Sequence, residues 1–307
     1  MKHLLRMLVC ALLMAALCAF AQAEETEPET FTSGDYEYIL LEDGTAEITR
    51  FNGEQTHIRL PDALDGHTVS SLAENAIPWS ARATSVIIPN SMTKVAENYA
   101  VDRIVFLPDH PVLARIDGVM FSKPDKRLIS AASGIIGTTY RVPDGIKIIG
   151  ESAFEDAENL AAVILPESLT AIENNAFNCC FSLKTVTIPG NVTVIGDGAF
   201  YACNNLRTAD IGGSVETIGR YAFYRCESLA EVTLPGTVTA IGEGAFGECT
   251  CLTRITIPAS VTAIGENAFD YCDNLTVTVA RGSYAEQYCI ENGLYFMYPD
   301  SLDWLKQ

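Results

Sequence analysis

Cysteine is the residue type in this chain whose placement most invites chemistry. Five of the ten cysteines, Cys180, Cys203, Cys226, Cys249 and Cys272, follow one another at intervals of 23 residues. A thiol can serve as a nucleophile, as half of a disulfide or as a metal ligand. Metal binding needs ligands that converge at tetrahedral geometry. A constant step of this length spreads the thiols over successive units of the chain, so no metal and no other cofactor is expected. Disulfides between neighbouring units stay geometrically open, because strands about 4.8 Å apart lie within the roughly 4.4–6.8 Å Cα separation of a disulfide. Side chains stacked in register point alongside one another, however, and interior thiols filling one column as small apolar groups is the favoured reading. Cys179, Cys251 and Cys289 fall outside the column. Cys179 with another exposed thiol is a candidate bridge.

Other catalytic constellations are poorer. Beyond the first residues the histidines are His57, His67 and His110, none at a recognisable motif spacing from a nucleophile or carboxylate. The glycines of "IGGSV" lack the lysine that phosphate chemistry needs. Glu243, Glu248, Glu266, Asp270 and Asp273 are expected on an outer arc, where acids keep a protein soluble, and no loop has a calcium-ligand pattern. No catalytic residue is assigned, and an enzyme is not expected. The formal net charge of −19 argues against nucleic acid and against an anionic membrane surface, because both require clustered Lys and Arg.

The elements that must carry these residues repeat. The Phe of an "AF" dipeptide recurs at Phe154, Phe177, Phe200, Phe223, Phe246 and Phe269, always 23 residues apart. Ile149, Ile172, Ile195, Ile218, Ile241 and Ile264 keep the same step, as do Leu160, Leu183, Leu206, Leu229, Leu252 and Leu275. Pro166, Pro189, Pro235 and Pro258 form a further column, interrupted by Gly212. In one unit "LKTVTIP" alternates Leu183, Val186 and Ile188 inward with Lys184, Thr185 and Thr187 outward, which is a short strand. Pro189 ends it, since proline cannot donate to a ladder. "VTVIG" then turns Val192 and Ile195 inward, and "DGAFYAC" reads as a helical turn burying Ala199, Phe200 and Cys203. A lone unit cannot cover its two flat sides. Each apolar side chain gains about 1.5–3 kcal/mol on burial, and here only between stacked neighbours. The expected fold is therefore an α/β repeat solenoid, with a curved parallel β-sheet on the inner face and short helical or irregular arcs outside.

These units resemble the leucine-rich repeat, and within it the BspA-like class of bacterial surface proteins. "LAAVILPESLTAIENNAFNCCFSLKTV" and "LAEVTLPGTVTAIGEGAFGECTCLTRI" follow the class pattern LxxIxLPxxLxxIGxxAFxxCxxLxxI. Two departures stand out. Glu173 occupies a position where neighbouring units have Gly, and the "TADIGGSV" unit has Ala209 and Gly212 in place of a β-branched residue and Pro. That unit is expected to sit slightly irregularly. The polar column Ser168, Asn191, Ser214, Thr237 and Ser260 follows the strands and is expected to satisfy inward-facing backbone amides.

The regular repeats occupy 144–279. Residues 63–143 read as degenerate repeats, with Ile77 and Ala100 in the Phe slot and an inserted hairpin near 109–138, its strands joined at Ser122 to Lys126, on the side of the solenoid. Residues 34–62, with Asp43-Gly44 as a tight turn, are expected to form an N-terminal β-hairpin cap, and 24–33 an acidic linker. Residues 280–307 form the C-terminal cap, with a helix begun by Ser283 and Glu286 and ended near Gly293. Residues 1–23 have the form of a signal peptide: Lys2 and Arg6, an apolar run from Met7 to Ala21, and cleavage after Ala23 of Ala-Gln-Ala. Leu17 before Cys18 disfavours lipidation, and no second stretch is long and apolar enough to span a bilayer.

A secreted or extracellular-surface location follows from that reading. The outward strand positions are Lys184, Thr185, Thr187, Arg207, Thr208, Asp210, Glu231, Thr233, Thr253, Arg254 and Thr256. They are Thr-rich, with three bases on an acidic protein; ordinary β-surface solvated by water is the favoured reading, and the sharper one makes them the candidate face for an acidic partner. Repeat arrays offer wide, rigid surfaces. Resemblance to the BspA-like class implies adhesion to host matrix or to other cells through protein partners. The alternative is a glycan or cell-wall binding module, disfavoured because those positions contain no aromatic residue. Tyr201, Tyr221, Tyr224 and Tyr271 sit around the AF arc instead.

Overall fold

A computed structural model describes residues 28–73, 75–77, 83–95, 104–106, 109–131 and 136–300. The proposed signal segment and Ala100 lie outside the described residues. The regular units form strands where β-branched residues alternate. Thr139–Arg141, Ala162–Ile164, Thr185–Ile188, Thr208–Ile211, Glu231–Thr233, Arg254–Ile257, Thr276–Val279 and Tyr295–Met297 pair in that order as one parallel sheet. A second sheet runs beside it. Its two-residue strands Ile148–Ile149, Ala171–Ile172, Val194–Ile195, Thr217–Ile218, Ala240–Ile241 and Ala263–Ile264 also pair in parallel. Each 23-residue unit thus contributes one rung to two ladders.

Between the ladders lies one continuous core. The Phe, Ile, Leu and Cys columns are all buried within it. Phe154, Phe177, Phe200, Phe223, Phe246 and Phe269 stack face to face, with successive ring centroids 4.9, 5.1, 5.2, 5.3 and 5.7 Å apart. The TADIGGSV unit is regular: Thr208, Ala209, Asp210 and Ile211 keep full register with Thr185–Ile188. Glu173 also has a reason. Its carboxylate pairs with the Arg127 guanidinium, tying the second regular rung to the preceding hairpin.

The arcs are not helical. Two left-handed columns interrupt each one. The first is Ser152, Asn175, Gly198, Tyr221, Gly244 and Asn267, and the second is Asp156, Cys179, Ala202, Arg225, Glu248 and Tyr271. A left-handed residue cannot continue a right-handed helix. Here it turns the amide toward the next rung: Asp156 N–H donates to Asn178 O, Cys179 to Tyr201, Ala202 to Tyr224, Arg225 to Gly247 and Glu248 to Asp270, at 2.7–2.9 Å. The arc is a third ladder of backbone bonds made of turns.

The N-terminal region differs from expectation in detail. Thr30–Ser33, assigned above to a linker, is a strand paired antiparallel with Tyr36–Leu40, which pairs with Ala46–Phe51. The hairpin is therefore a three-stranded meander. Ala46–Phe51 pairs in parallel with His67–Leu72, and that strand with Lys94–Val95. His57–Arg59, Ser85–Ile88 and Ile104–Phe106 form a separate parallel ladder. These turns enclose their own core of Ile48, Phe51, Ile58, Val69, Leu72, Ile77, Val86 and Ile88 among others.

The inserted hairpin does not stand on the side of the solenoid. Leu113–Ile116, Val119–Ser122 and Arg127–Ser130 are antiparallel, and the last pairs in parallel with Ile148–Ile149, so the insert starts the second ladder. It faces both cores. Leu113, Met120 and Ile129 pack into the N-terminal one, and Val119, Phe121 and Leu128 into the regular one. At the other end the helix Tyr284–Glu291 starts at Ser283, whose hydroxyl accepts from Glu286 N–H at 3.2 Å. Tyr288 meets Phe269 edge-on at 6.2 Å, continuing the aromatic column.

Candidate functional site

The candidate face is the outer side of the longer-stranded sheet. Strand alternation sends Val186, Ile188, Ala209, Ile211, Val232, Ile255 and Ile257 inward, and the intervening residues outward. All eleven candidate residues, Lys184 through Thr256, are exposed. Parallel pairing aligns them in columns. Thr185, Thr208, Glu231, Arg254 and Thr276 form one row, and Thr187, Asp210, Thr233, Thr256 and Thr278 another. Lys184 and Arg207 are joined through their backbones, Arg207 N–H donating to Lys184 O at 2.9 Å. The first row ends on Tyr295, which is 79% exposed and gives the face an aromatic residue that strand reading over the regular units had missed.

The cysteine column has a definite role. Each thiol donates to a backbone carbonyl of the preceding rung: Cys180 to Phe154, Cys203 to Phe177, Cys226 to Phe200, Cys249 to Phe223 and Cys272 to Phe246, at 3.1–3.2 Å. The column is thus a ladder of donors as well as filler. All eight described cysteines are free thiols in the structure, including Cys179, Cys251 and Cys289. Burial pushes the Cys180 and Cys272 thiols up to about 12 and raises Cys203, Cys226 and Cys249 well above the usual value. A thiol that resists ionisation is a poor nucleophile and a poor metal ligand. Among the described residues, no group of three or more His, Cys, Asp or Glu is placed to hold a metal ion.

The polar column acts mostly opposite to expectation. The Ser168 hydroxyl donates to Ile146 O at 2.7 Å, Thr237 to Val215 O at 2.7 Å and Ser260 to Val238 O at 2.7 Å, while Asn191 Nδ2 donates to Glu167 O at 2.8 Å. These side chains satisfy carbonyls of the preceding rung. Only Ser168 also accepts from an amide, that of Gly145 at 3.0 Å.

A second surface cluster occupies the arcs. The rings of Tyr201 and Tyr224 stack at 5.4 Å, and Tyr221 meets Tyr224 edge-on at 5.6 Å. Tyr221 donates to Glu243, which pairs with Arg220 at 2.5 Å, and Tyr224 donates to Glu248 at 2.5 Å, which pairs with Arg225 at 3.2 Å. The bond to Glu248 is the main cause that pushes the Tyr224 phenol up to about 12. The signal for this cluster was in the sequence. Gly244 and Gly247 stand one 23-residue step after Tyr221 and Tyr224, and the rings lie over them.

The fold and the face together define a class: a parallel β-solenoid of 23-residue leucine-rich rungs. A model of BspA type leucine rich repeat regions matches in six copies over residues 137–251 and 205–292, and the chain belongs to that family. A leucine-rich repeat protein from Eubacterium ventriosum is similar in structure, with a TM-score of 0.59 at 16% identity over 80% of this chain and 95% of its own. The pneumococcal vaccine antigen PcpA is similar over 80% of this chain and 68% of its own, with a TM-score of 0.52 at 17% identity. These likenesses bear on the fold. No curated protein sequence matches the chain. Among the described residues, no helix is long and apolar enough to cross a membrane.

Proposed function

We propose that this protein is a secreted or cell-surface, non-catalytic scaffold that binds protein partners, in adhesion to host matrix or to other cells, through the exposed face of its longer-stranded sheet. One observation carries the reading. Eleven outward residues on successive rungs, from Lys184 to Arg254 and Thr256, are exposed; eight are in register in the paired strands, and Lys184, Arg207 and Thr253 lie in the backbone bonds just before them. Such an array presents fixed side-chain spacing over several rungs, which is what a large protein epitope requires. Family membership supports an interaction role, since function in repeat proteins resides in the surface and not in the fold. The leader features at Lys2, Arg6 and Ala21-Gln22-Ala23 support export, with the mature chain beginning at Glu24.

Charge favours an acidic patch on the partner. Lys184, Arg207 and Arg254 lie on this face of a protein whose overall charge is −19. The test is a pull-down of purified host matrix proteins and of bacterial wall glycans by the chain lacking residues 1–23. A captured matrix protein is then titrated against the K184E/R207E/R254E variant. Loss of binding by tenfold or more supports this face. Unchanged affinity rules it out, and capture of glycan alone replaces the reading with the glycan-binding alternative.

A further inference from the structure

The regular units hold four tyrosines, Tyr201, Tyr221, Tyr224 and Tyr271, and all four lie on the arcs. Single apolar side chains scattered over a surface need no explanation, but these are arranged. The Tyr221 ring lies against Gly244 and the Tyr224 ring against Gly247, so closely that a Cβ on either glycine would meet ring carbons at 2.4 and 2.9 Å. Each ring therefore occupies the place where the next rung's side chain would stand. Tyr201 extends the row by one rung, stacking on Tyr224 at 5.4 Å. Gly198, one rung before Tyr221, leaves the other side of that ring without a side chain from its own column.

Polar groups fix the inner rings and keep capacity beside them. The carboxylates that accept from Tyr221 and Tyr224, those of Glu243 and Glu248, also take Arg220 Nη2 and Arg225 Nε. A carboxylate offers about four lone-pair sites and a guanidinium five N–H donors, so each of these groups can still accept or donate outward. Tyr271 stands one rung beyond Glu248 in the same left-handed column and is 64% exposed. Tyr201, at the other end, is partly exposed, and among the described residues neither of these two hydroxyls has a hydrogen-bond partner. Two guanidinium groups and two carboxylates balance in charge. The neighbouring acids Asp197, Glu266 and Asp270, bonded to these rungs through side chain or backbone, make the site unfavourable for an anion. From the rung of Tyr201 to that of Tyr271 is three steps, about 14 Å at 4.8 Å per rung, too short for the roughly 800 Å² that each side of a standard protein interface covers.

We infer that this tyrosine patch on the arcs is a second binding site, separate from the sheet face, for a short stretch of neutral saccharide. A sugar ring has an apolar C–H face that can lie on an aromatic ring, and vicinal hydroxyls that both donate and accept. Tyrosine supplies the first contact together with a polar tip, and a guanidinium beside a carboxylate supplies charge-assisted partners for the second. Cationic ligands gain less, because Glu243 and Glu248 are each already paired with an arginine. Tyr221 and Tyr224 are held in place before any ligand arrives, so they lose little freedom on binding. The site neither requires nor excludes a protein bound on the sheet face.

NMR of tyrosine ring signals tests this on the chain lacking residues 1–23, titrated with cellohexaose, maltohexaose and chitohexaose to about 10 mM, a range that captures millimolar dissociation constants. At least one saccharide should shift Tyr201, Tyr221, Tyr224 and Tyr271 while Tyr36, Tyr38 and Tyr140 stay in place. The Y201A/Y271A variant removes two rings whose hydroxyls anchor nothing, so it should keep its urea midpoint and bind about fivefold or more weakly. The K184E/R207E/R254E variant should bind the saccharide as wild type does, which separates this site from the sheet face. Should Y201A/Y271A lose stability, the wild-type ring shifts decide alone. No shift with any of the three saccharides, shifts confined to tyrosines outside the arcs, full affinity in a stable Y201A/Y271A, or loss of binding in K184E/R207E/R254E would each overturn the site. Hexalysine moving the same four rings where the saccharides do not would assign the patch to a cationic peptide and overturn it as well.

Discussion

Replacing one phenylalanine in the middle of the stack tests the architecture most directly. Phe223 is fully buried, and its ring lies between Phe200 at 5.2 Å and Phe246 at 5.3 Å, within 8° and 1° of parallel. Phe223→Ala removes a whole ring from a site closed on both sides by backbone ladders, so it can collapse little. Substitutions of this kind cost about 3–5 kcal/mol, and the upper half of that range is expected here. Phe223→Leu keeps most of the apolar volume and loses two aromatic contacts, each worth roughly 0.5–1.5 kcal/mol, so about 1–3 kcal/mol is expected. Phe181 is the control: it is 40% exposed and outside the column, and its change to Ala should stay within about 0.5 kcal/mol. Urea denaturation of all three variants gives the free energies. Hydrogen exchange should localise the damage in F223A to the rungs around 200–246, since each rung touches only its neighbours. An F223A chain within about 1 kcal/mol of wild type, or one no less stable than F223L, would refute a shared aromatic column.

Two further outcomes follow from the same rungs. A Cβ on Gly219 would lie 2.5 Å from Gly196 C and 2.6 Å from Asp197 N, while one on Gly213 meets nothing within 4 Å. Gly219→Ala should therefore cost about 1–3 kcal/mol in a denaturant titration, and Gly213→Ala should be neutral or stabilising. Thiol titration at pH 8 of the chain lacking residues 1–23 should modify the exposed Cys251 quickly and the half-buried Cys179 slowly, leaving the five column thiols and the buried Cys289 untouched until denaturant is added. Fast native reaction of more than two thiols would contradict that burial.

Much of this fold was legible because the stacked interior repeats residue by residue. A column of identical side chains, such as the six phenylalanines, needs no neighbour from elsewhere in the chain to explain it. The arcs were misread as helical turns because their second left-handed column, from Asp156 and Cys179 through Tyr271, contains neither Gly nor Asn. Of those side chains only Asp156 belongs to a type enriched at positive φ. The conformation is imposed by the amide ladder to the next rung, a tertiary constraint that overrides local preference. The second sheet was hidden for a related reason, since two residues such as Val194–Ile195 are too few for alternation to register. Glu173 read as a departure from pattern because Arg127 lies 46 residues away in the chain.

The same rigidity constrains how the candidate face can act. The backbone positions of its charges are fixed, because the strands in or beside which they lie pair with a neighbouring strand on both sides. Arg254 is aligned directly with Glu231, and Asp210 with Thr187 and Thr233, so two acids lie within the region that the three bases mark. Lys184 and Arg207 are adjacent rungs, about 4.8 Å apart, and their neighbours Thr185 and Thr208 are uncharged. Of the three bases, Lys184 and Arg207 thus stand together, whereas Arg254 is aligned with Glu231, whose charge offsets its own. A partner read by charge would set its acidic groups over Lys184 and Arg207, and use the threonine rows and Tyr295 for contact. A partner on this face would have to match the spacing of the ladder, whose paired strands hold successive rungs in place.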